Sequence, residues 1–326
     1  MILAGDIGGT KTNLAWVSQT GDSLHLNVTK SYHSQKFTTL QEVIDAFMGE
    51  FPETVTRAAF GIAGPVVNGR SRLTNLGWDV DGQEVARGLS LGSVGLLNDL
   101  AATAYGTLRL KETERIVLKP GSSQPGGTIA VIAAGTGLGE GGLVWDGTRY
   151  IALPSEGGHT DFGPRNDDEM DLLRFLLNEF DRVSYERVAC GPGLHNIYRF
   201  LRDRSGAPEP SWLTEAMAAG DPSAAISRAG VEQKDNVCEK SLAMFVSSYG
   251  AEAGNLALKL LATGGVYVGG GIAPKILPQL QDGSFVRSFV RKGRYESLMH
   301  AIPVYVILND QTALLGAAHF ALMSGD

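Results

Sequence analysis

Cysteine is scarce in this 326-residue chain: Cys190 and Cys238 are too few for a disulfide framework or a four-thiolate zinc site. No apolar run approaches the roughly 20 residues that a membrane helix needs, and no charged, apolar, small-residue leader precedes the first strand-like segment. Membrane and secreted classes are set aside, and a cytoplasmic protein is expected. A basic excess is missing too. Lys and Arg number 28 against 35 Asp and Glu, a formal charge of -7, which argues against nucleic acid held on a broad basic surface. There is no low-complexity tract and no evident linker. What the chain has in quantity is glycine, 42 residues, among 43% apolar residues, enough for a substantial core. At roughly 150 residues per domain the length suits two domains. An enzyme for small ligands is the class left open.

Strand-like apolar runs alternate with amphipathic helical ones, which predicts an α/β protein. Residues 1–6 and 13–17 read as antiparallel strands joined by IGGTKT, followed by a strand near 24–29 and a helix near 39–50. A strand near 55–62, the turn Ala63-Gly64-Pro65, a helix near 82–89 and a strand at 94–98 supply a parallel part. The last strand runs directly into the helix-like NDLAATAYGTL. Strands at 128–135, 141–145 and 149–153 open a second set, and the chain then turns mostly helical from Asp167 to about Leu261. Strands at 266–271 and 302–308 and a final helix, QTALLGAAHFAL, complete the reading. The Gly, Pro and charged residues of 202–211 predict an exposed loop. The long apolar stretch 233–262 reads first as a core helix and second as a dimer face.

One device occurs twice. Asp6-Ile7-Gly8-Gly9-Thr10-Lys11-Thr12 and Ala134-Gly135-Thr136-Gly137-Leu138-Gly139 each join two strand-like runs through a Gly-Thr turn. Glycines let backbone N–H groups approach an anion, and Thr hydroxyls add uncharged donors, so each turn can wrap a phosphate. Asp6, at a strand end, could hold Mg²⁺ through water. The plainer reading of either turn alone is an ordinary glycine hairpin; two of them, one in each half, favour phosphate. Gly137-x-Gly139-x-x-Gly142 fits a dinucleotide fingerprint, but GGLVWDG beyond it reads as a strand where a helix is required. Gly9-Thr10-Lys11-Thr12 fails as a P-loop because Thr10 stands where glycine must precede the lysine.

A second constellation is polar: Asn98-Asp99, Glu156-Gly157-Gly158-His159 and Glu186. Sugar hydroxyls both donate and accept, so a sugar site needs convergent amides and carboxylates, and a carboxylate beside the reacting hydroxyl can take its proton. Asp99, at a strand's carboxyl end, is the candidate base. Each residue has a plainer reading: Asn98 or Asp99 as a helix cap, His159 as a turn histidine, Glu186 as a surface charge.

With these motifs in order, the chain resembles the bacterial hexose-kinase type glucokinases of the actin-like ATPase superfamily. DIGGTKT is similar to the family's first phosphate motif, LLNDLAA to its catalytic-aspartate motif and AAGTGLGEG to its second phosphate motif. PSEGGHTDF and ERVACGPGL are similar to its sugar-binding motifs, and VYVGGGIAPK to its adenosine-side motif. The C-terminal NDQTALLGAA extends the likeness to nearly the whole chain.

The resemblance implies MgATP-dependent phosphorylation of D-glucose at the 6-hydroxyl, the entry step of glycolysis, with Asp99 as base. Asn98, Asp99, Glu156, His159 and Glu186 would hold the sugar. Gly5, Asp6, Ile7, Gly8, Gly9 and Thr10, with Gly135, Thr136 and Gly137, would line the nucleotide phosphates. Gly269, Gly270 and Gly271 would lie near adenosine, and Asp6 would hold Mg²⁺ through water. The implied fold is the two-domain actin-like ATPase (ribonuclease H-like) architecture with an interdomain cleft. Its small domain would be 1–108 plus 303–326, discontinuous because the C-terminal helix returns to it, and its large domain 109–302. A homodimer is implied, with no nucleic-acid or membrane partner.

The chain also departs from related patterns. The family that groups repressors, reading-frame proteins and kinases carries a cysteine-rich zinc motif after the glycine-histidine element, but here TDFGPRNDDE follows without cysteine, so no structural zinc is expected. Repressor members carry a helix-turn-helix ahead of the first phosphate motif, and here a strand begins at residue 1. Ala134 stands where many relatives have proline. Two further readings stay open: a kinase for fructose, mannose or an N-acetylhexosamine, and a sugar or nucleotide sensor without turnover.

Overall fold

The computed structural model of the chain describes residues 1–206 and 208–324. They cluster into two units. The first comprises Met1–Arg115, Gly141–Pro154 and the C-terminal segment from Asn309; the second comprises Ile116–Glu140 and Ser155–Leu308.

The first unit opens with β1 (Ile2–Ile7), β2 (Lys11–Thr20) and β3 (Ser23–His33), then α1 (Leu40–Glu50) and β4 (Arg57–Ile62). A short pair, β5 (Arg70–Leu73) and β6 (Trp78–Asp81), precedes α2 (Gly82–Gly88), β7 (Gly95–Asn98) and α3 (Asp99–Thr107). The sheet order is β3-β2-β1-β4-β7, with β2 antiparallel to both β1 and β3 and with β4 and β7 parallel to β1. Leu3, Ile7, Trp16, Phe47, Phe60 and Trp78 form its core. Trp16 is buried whole because its indole N–H donates to Phe51 O at 2.8 Å, which meets the polar demand of a buried ring.

The chain continues through β8 (Arg115–Lys119), β9 (Ile129–Ala134), β10 (Leu138–Trp145) and β11 (Tyr150–Leu153). It then forms α4 (Asp167–Leu176), α5 (Gly191–Ser205), α6 (Ser211–Ala218), α7 (Pro222–Val231) and α8 (Asn236–Leu260). After β12 (Gly265–Gly269) come α9 (Leu277–Gln281), α10 (Ser284–Val290), α11 (Glu296–Ala301) and β13 (Val304–Ile307). In the second unit β12 lies between β9 and β13, parallel to both. Fourteen of the 25 residues of α8 are buried, among them Phe245, Tyr249 and Glu252, so it is a core helix. α12 (Thr312–Met323) belongs to the first unit.

The expected 202–211 loop starts late. α5 continues to Ser205 and ends on Gly206 at φ 63, because Arg202 pairs with Glu209 and Arg204 with Asp168, so the charges there stabilise helix. Ala207, also in that stretch, lies outside the described residues.

Candidate active site

In the first unit, strand register gathers the predicted residues on one sheet edge. Ile7 is level with Ile62, and Ile62 with Asn98, so the Gly8–Thr10 turn and the Asn98-Asp99 pair leave the carboxyl ends of β1 and β7, the two strands that flank β4. The turn is held by Gly8 N donating to Lys11 O at 2.9 Å and by the Ser34 hydroxyl donating to Gly8 O at 2.7 Å. Ile7 is fully buried in the core, so only its backbone can face a ligand, and Gly5 lies inside β1 against the Phe60 ring.

Asn98 does cap α3: its Oδ1 accepts from Leu100 N at 2.9 Å, while its Nδ2 donates to Gly64 O at 3.1 Å. This fixes the start of the helix relative to the Ala63-Gly64-Pro65 turn. Asp99 is the first helical residue, and its Oδ1 also accepts from Leu100 N, at 2.8 Å. The capping reading and the site reading are therefore compatible, since the cap is what aims the carboxylate.

Asp6 accepts from Asn13 Nδ2 at 3.3 Å. Burial pushes its carboxyl above the usual carboxylate range, against which the Asn13 contact works. A lone acid in such a place, beside glycine N–H groups, suits a hydrated divalent cation, whose charge would favour the ionised form. No group of three or more His, Cys, Asp or Glu side chains arranged to hold a metal occurs among the described residues.

In the second unit the end of β9 runs into Gly135–Gly137. Gly135 N donates to Gly137 O at 2.9 Å, and Gly191 N, at the start of α5, donates to Gly135 O at 2.8 Å. Gly269, on β12, is level with Ala133 on β9, which brings Gly269–Gly271 beside this turn. Gly270 has φ 82, and a Cβ on it would lie 2.2 Å from Ala134 O, so only glycine fits there. The Tyr249 hydroxyl ties the two strand ends: Ala134 N donates to it at 3.2 Å, and Gly269 O lies 3.4 Å away.

Glu186 joins the same cluster. Its Oε2 accepts from Leu138 N at 3.0 Å, and its Oε1 is 3.8 Å from His159 Nδ1. A Cβ on Gly137 would stand 2.6 Å from that Oε2, so glycine there leaves room for the carboxylate. Glu186 is thus built into the Gly135–Gly137 turn rather than a stray surface charge. Glu156 opens a short 3₁₀ turn, Gly157–His159, with its backbone O accepting from His159 N at 3.0 Å; both side chains are exposed. The structure therefore joins Gly135–Gly137, Gly269–Gly271, Glu186 and His159, and leaves the Glu156 carboxylate pointing to solvent.

Sequence reasoning passes over Ser34, Tyr249 and the buried Glu140. Ser34 and Tyr249 lie far in sequence from the turns they brace. Glu140, in GLGEGG, looks like a polar residue in a glycine turn, although its alternation with buried Leu138 in a strand signals an inward side chain.

A model of the glucokinase family matches residues 3–324. The chain is 46% identical to a glucokinase of a Nostoc species over 98% of each chain. It is similar to a solved glucokinase from an Antarctic psychrotroph, with 31% identity, 99% of each chain covered and a TM-score of 0.89. It also superposes on a ROK-family glucokinase from Streptomyces griseus, solved in complex with glucose and AMPPNP, with a TM-score of 0.69 over 99% of each chain. At 23% identity the last likeness speaks for fold alone, the actin-like ATPase fold.

Proposed function

The chain belongs to the glucokinase family, and from that membership we infer that it transfers the γ-phosphoryl group of ATP to the 6-hydroxyl of D-glucose, giving glucose 6-phosphate and ADP. The observation that carries the reading is Asp99 at the first position of α3, on the same sheet edge as the Gly8–Thr10 turn.

In this mechanism the Asp99 carboxylate accepts the proton of the 6-hydroxyl as the oxygen attacks phosphorus. Leu100 N–H and the Asn98 cap hold that carboxylate in place, so little reorganisation is left for the reaction itself. Asn98, Glu156, His159 and Glu186 hold the remaining sugar hydroxyls. Backbone N–H groups of Gly8, Gly9 and Thr10 and of Gly135, Thr136 and Gly137 bind the phosphates, and Gly269–Gly271 border the adenosine. Mg²⁺, held through water by Asp6, supplies charge neutralisation on the phosphates when bound. Homodimerisation and entry of the product into glycolysis belong to the same reading, on family resemblance.

Asp99→Asn keeps the size and the Leu100 contact and removes the base. It should lower kcat by about 10²- to 10⁴-fold while glucose binding persists. Near-normal turnover by that variant would sink the assignment.

A further inference from the structure

Behind the Gly157–His159 turn lies a buried acid that the mechanism does not use. Glu140, on β10, is 1% exposed, and neither of its carboxyl oxygens meets a hydrogen-bond partner among the described residues. Its Oε2 would stand 2.2 Å from a Cβ built on Gly157, so the carboxyl lies directly against the backbone of the turn. Gly157 is thus the residue that admits Glu140.

Beside Glu140 is a second buried acid, Glu252 on α8. Glu252 is well supplied: Asn255 Nδ2 donates to it at 2.8 Å and Lys259 Nζ at 3.1 Å. Asn255 Nδ2 also lies 3.0 Å from the Tyr185 hydroxyl, and Lys292 Nζ donates to Asn255 Oδ1. The surplus acid is Glu140. An apolar side chain of similar size would fill its place without the cost of burying an unpaired polar group, so its presence calls for a role.

We propose that Glu140 is a positioning residue for sugar binding, its carboxyl forming the floor on which the Glu156–His159 turn rests. The inference depends on the reading of Glu156 and His159 as sugar ligands. Burial first, then the negative charge of Glu252, push the Glu140 carboxyl up to about 8, with Lys259 opposing. It is therefore largely neutral at pH 7, with its proton turned toward the Glu252 carboxylate, and can rest against the turn. The titratable and charged groups around it are Glu252, Lys259 and Tyr249 on α8, with Tyr185 and Lys292 beside Glu252 and Arg165 beside those two. Above about pH 8 a buried anion forms under Gly157, beside Glu252. Repulsion and its demand for water or a donor then displace the turn, and sugar affinity falls.

The test is the pH profile of the glucose KM and the ATP KM for the full-length enzyme, Glu140→Gln, Glu140→Ala and, as a control, Glu156→Ala. In the unsubstituted enzyme the glucose KM should rise severalfold between about pH 7 and about pH 9, with the ATP KM little changed. Glu140→Gln, which keeps shape and cannot ionise, should match it at pH 7 and lack the alkaline rise. Glu140→Ala, which removes the floor, should raise the glucose KM at every pH. An alkaline rise that persists in Glu140→Gln overturns the proposal, as does a normal glucose KM in Glu140→Ala. If Glu140→Ala fails to fold, the Glu140→Gln profile alone decides. An unchanged glucose KM in Glu156→Ala would mark the reading of the turn itself as wrong; a raised one alongside a normal Glu140→Ala overturns the positioning role alone.

Discussion

A single exposed carboxylate, Glu156, bears most of the claim about what the Gly157–His159 turn binds. It takes part in the turn only through its backbone O, so removing its side chain leaves the local fold intact. Glu156→Ala should therefore raise the glucose KM by roughly 10-fold or more, the scale of a lost hydrogen bond to a charged group, and leave the ATP KM near normal. Steady-state kinetics with each substrate varied separately checks this; equal changes in both constants would contradict the assignment. Glu186 differs because it serves two masters, accepting from Leu138 N at the end of the Gly135–Gly137 turn while lying near His159. Gly137→Ala forces its carboxylate to move, and both the glucose and the ATP KM should rise. An effect on ATP alone would detach Glu186 from the sugar. These residues are legible in sequence as polar groups set next to glycine, the pattern that a sugar or phosphate site would need. Glu140 is not, since burial depends on which strand face a residue takes and on what packs over it.

At the scale of elements, α3 carries Asp99, and α12 fixes α3. The two helices approach so closely that a Cβ on Gly316 would lie 1.7 Å from Ala102 O, and one on Gly106 would lie 2.0 Å from Thr312 O. Gly316→Leu must push the helices apart at the core of the first unit. It should cost at least about 1–3 kcal/mol, seen as a lower Tm or denaturant midpoint, and reduce kcat through displacement of α3. Unchanged stability would mean that the helices pack otherwise. The elements themselves follow from hydrophobic period and caps: Thr39, Asn166 and Asp235 each accept from an N–H of the helix that follows, at boundaries legible in sequence. The β5–β6 pair and β8 escape sequence reading because each is only 4 or 5 residues long and charged, too short for alternation to stand out. The extra turn of α5 escapes it because Arg202 pairs with Glu209 just beyond the helix and Arg204 with Asp168 on α4.

For the whole molecule, pH bears differently on the two units. Glu140, in the second, titrates near 8 in the fold against an ordinary value of 4.5, so the folded state binds more protons between those limits. Its contribution to stability is complete below about pH 4.5 and is lost as pH rises to about 8. His319, in the first unit, is pulled down to about 4 by burial and by Arg109, whose Nε donates to its Nδ1 at 3.0 Å. Its contribution is present above pH 6.5 and is lost as pH falls through about 4. Calorimetry across pH should show Glu140→Gln flattening the fall in Tm between about pH 4.5 and about pH 8 and His319→Gln flattening the acid fall. Parallel profiles for variant and unsubstituted protein would contradict these assignments. The proposed homodimer has its own check in light scattering, where a mass of twice 34.6 kDa is expected and a mass of 34.6 kDa would refute it.

The most direct test of the central claim is sugar-dependent ADP release by the purified protein with MgATP, titrating glucose, fructose, mannose and N-acetylglucosamine against a blank without sugar. Turnover with the highest kcat/KM on glucose is the predicted result; a higher value on another sugar, or binding of glucose with no ADP formed, would contradict it.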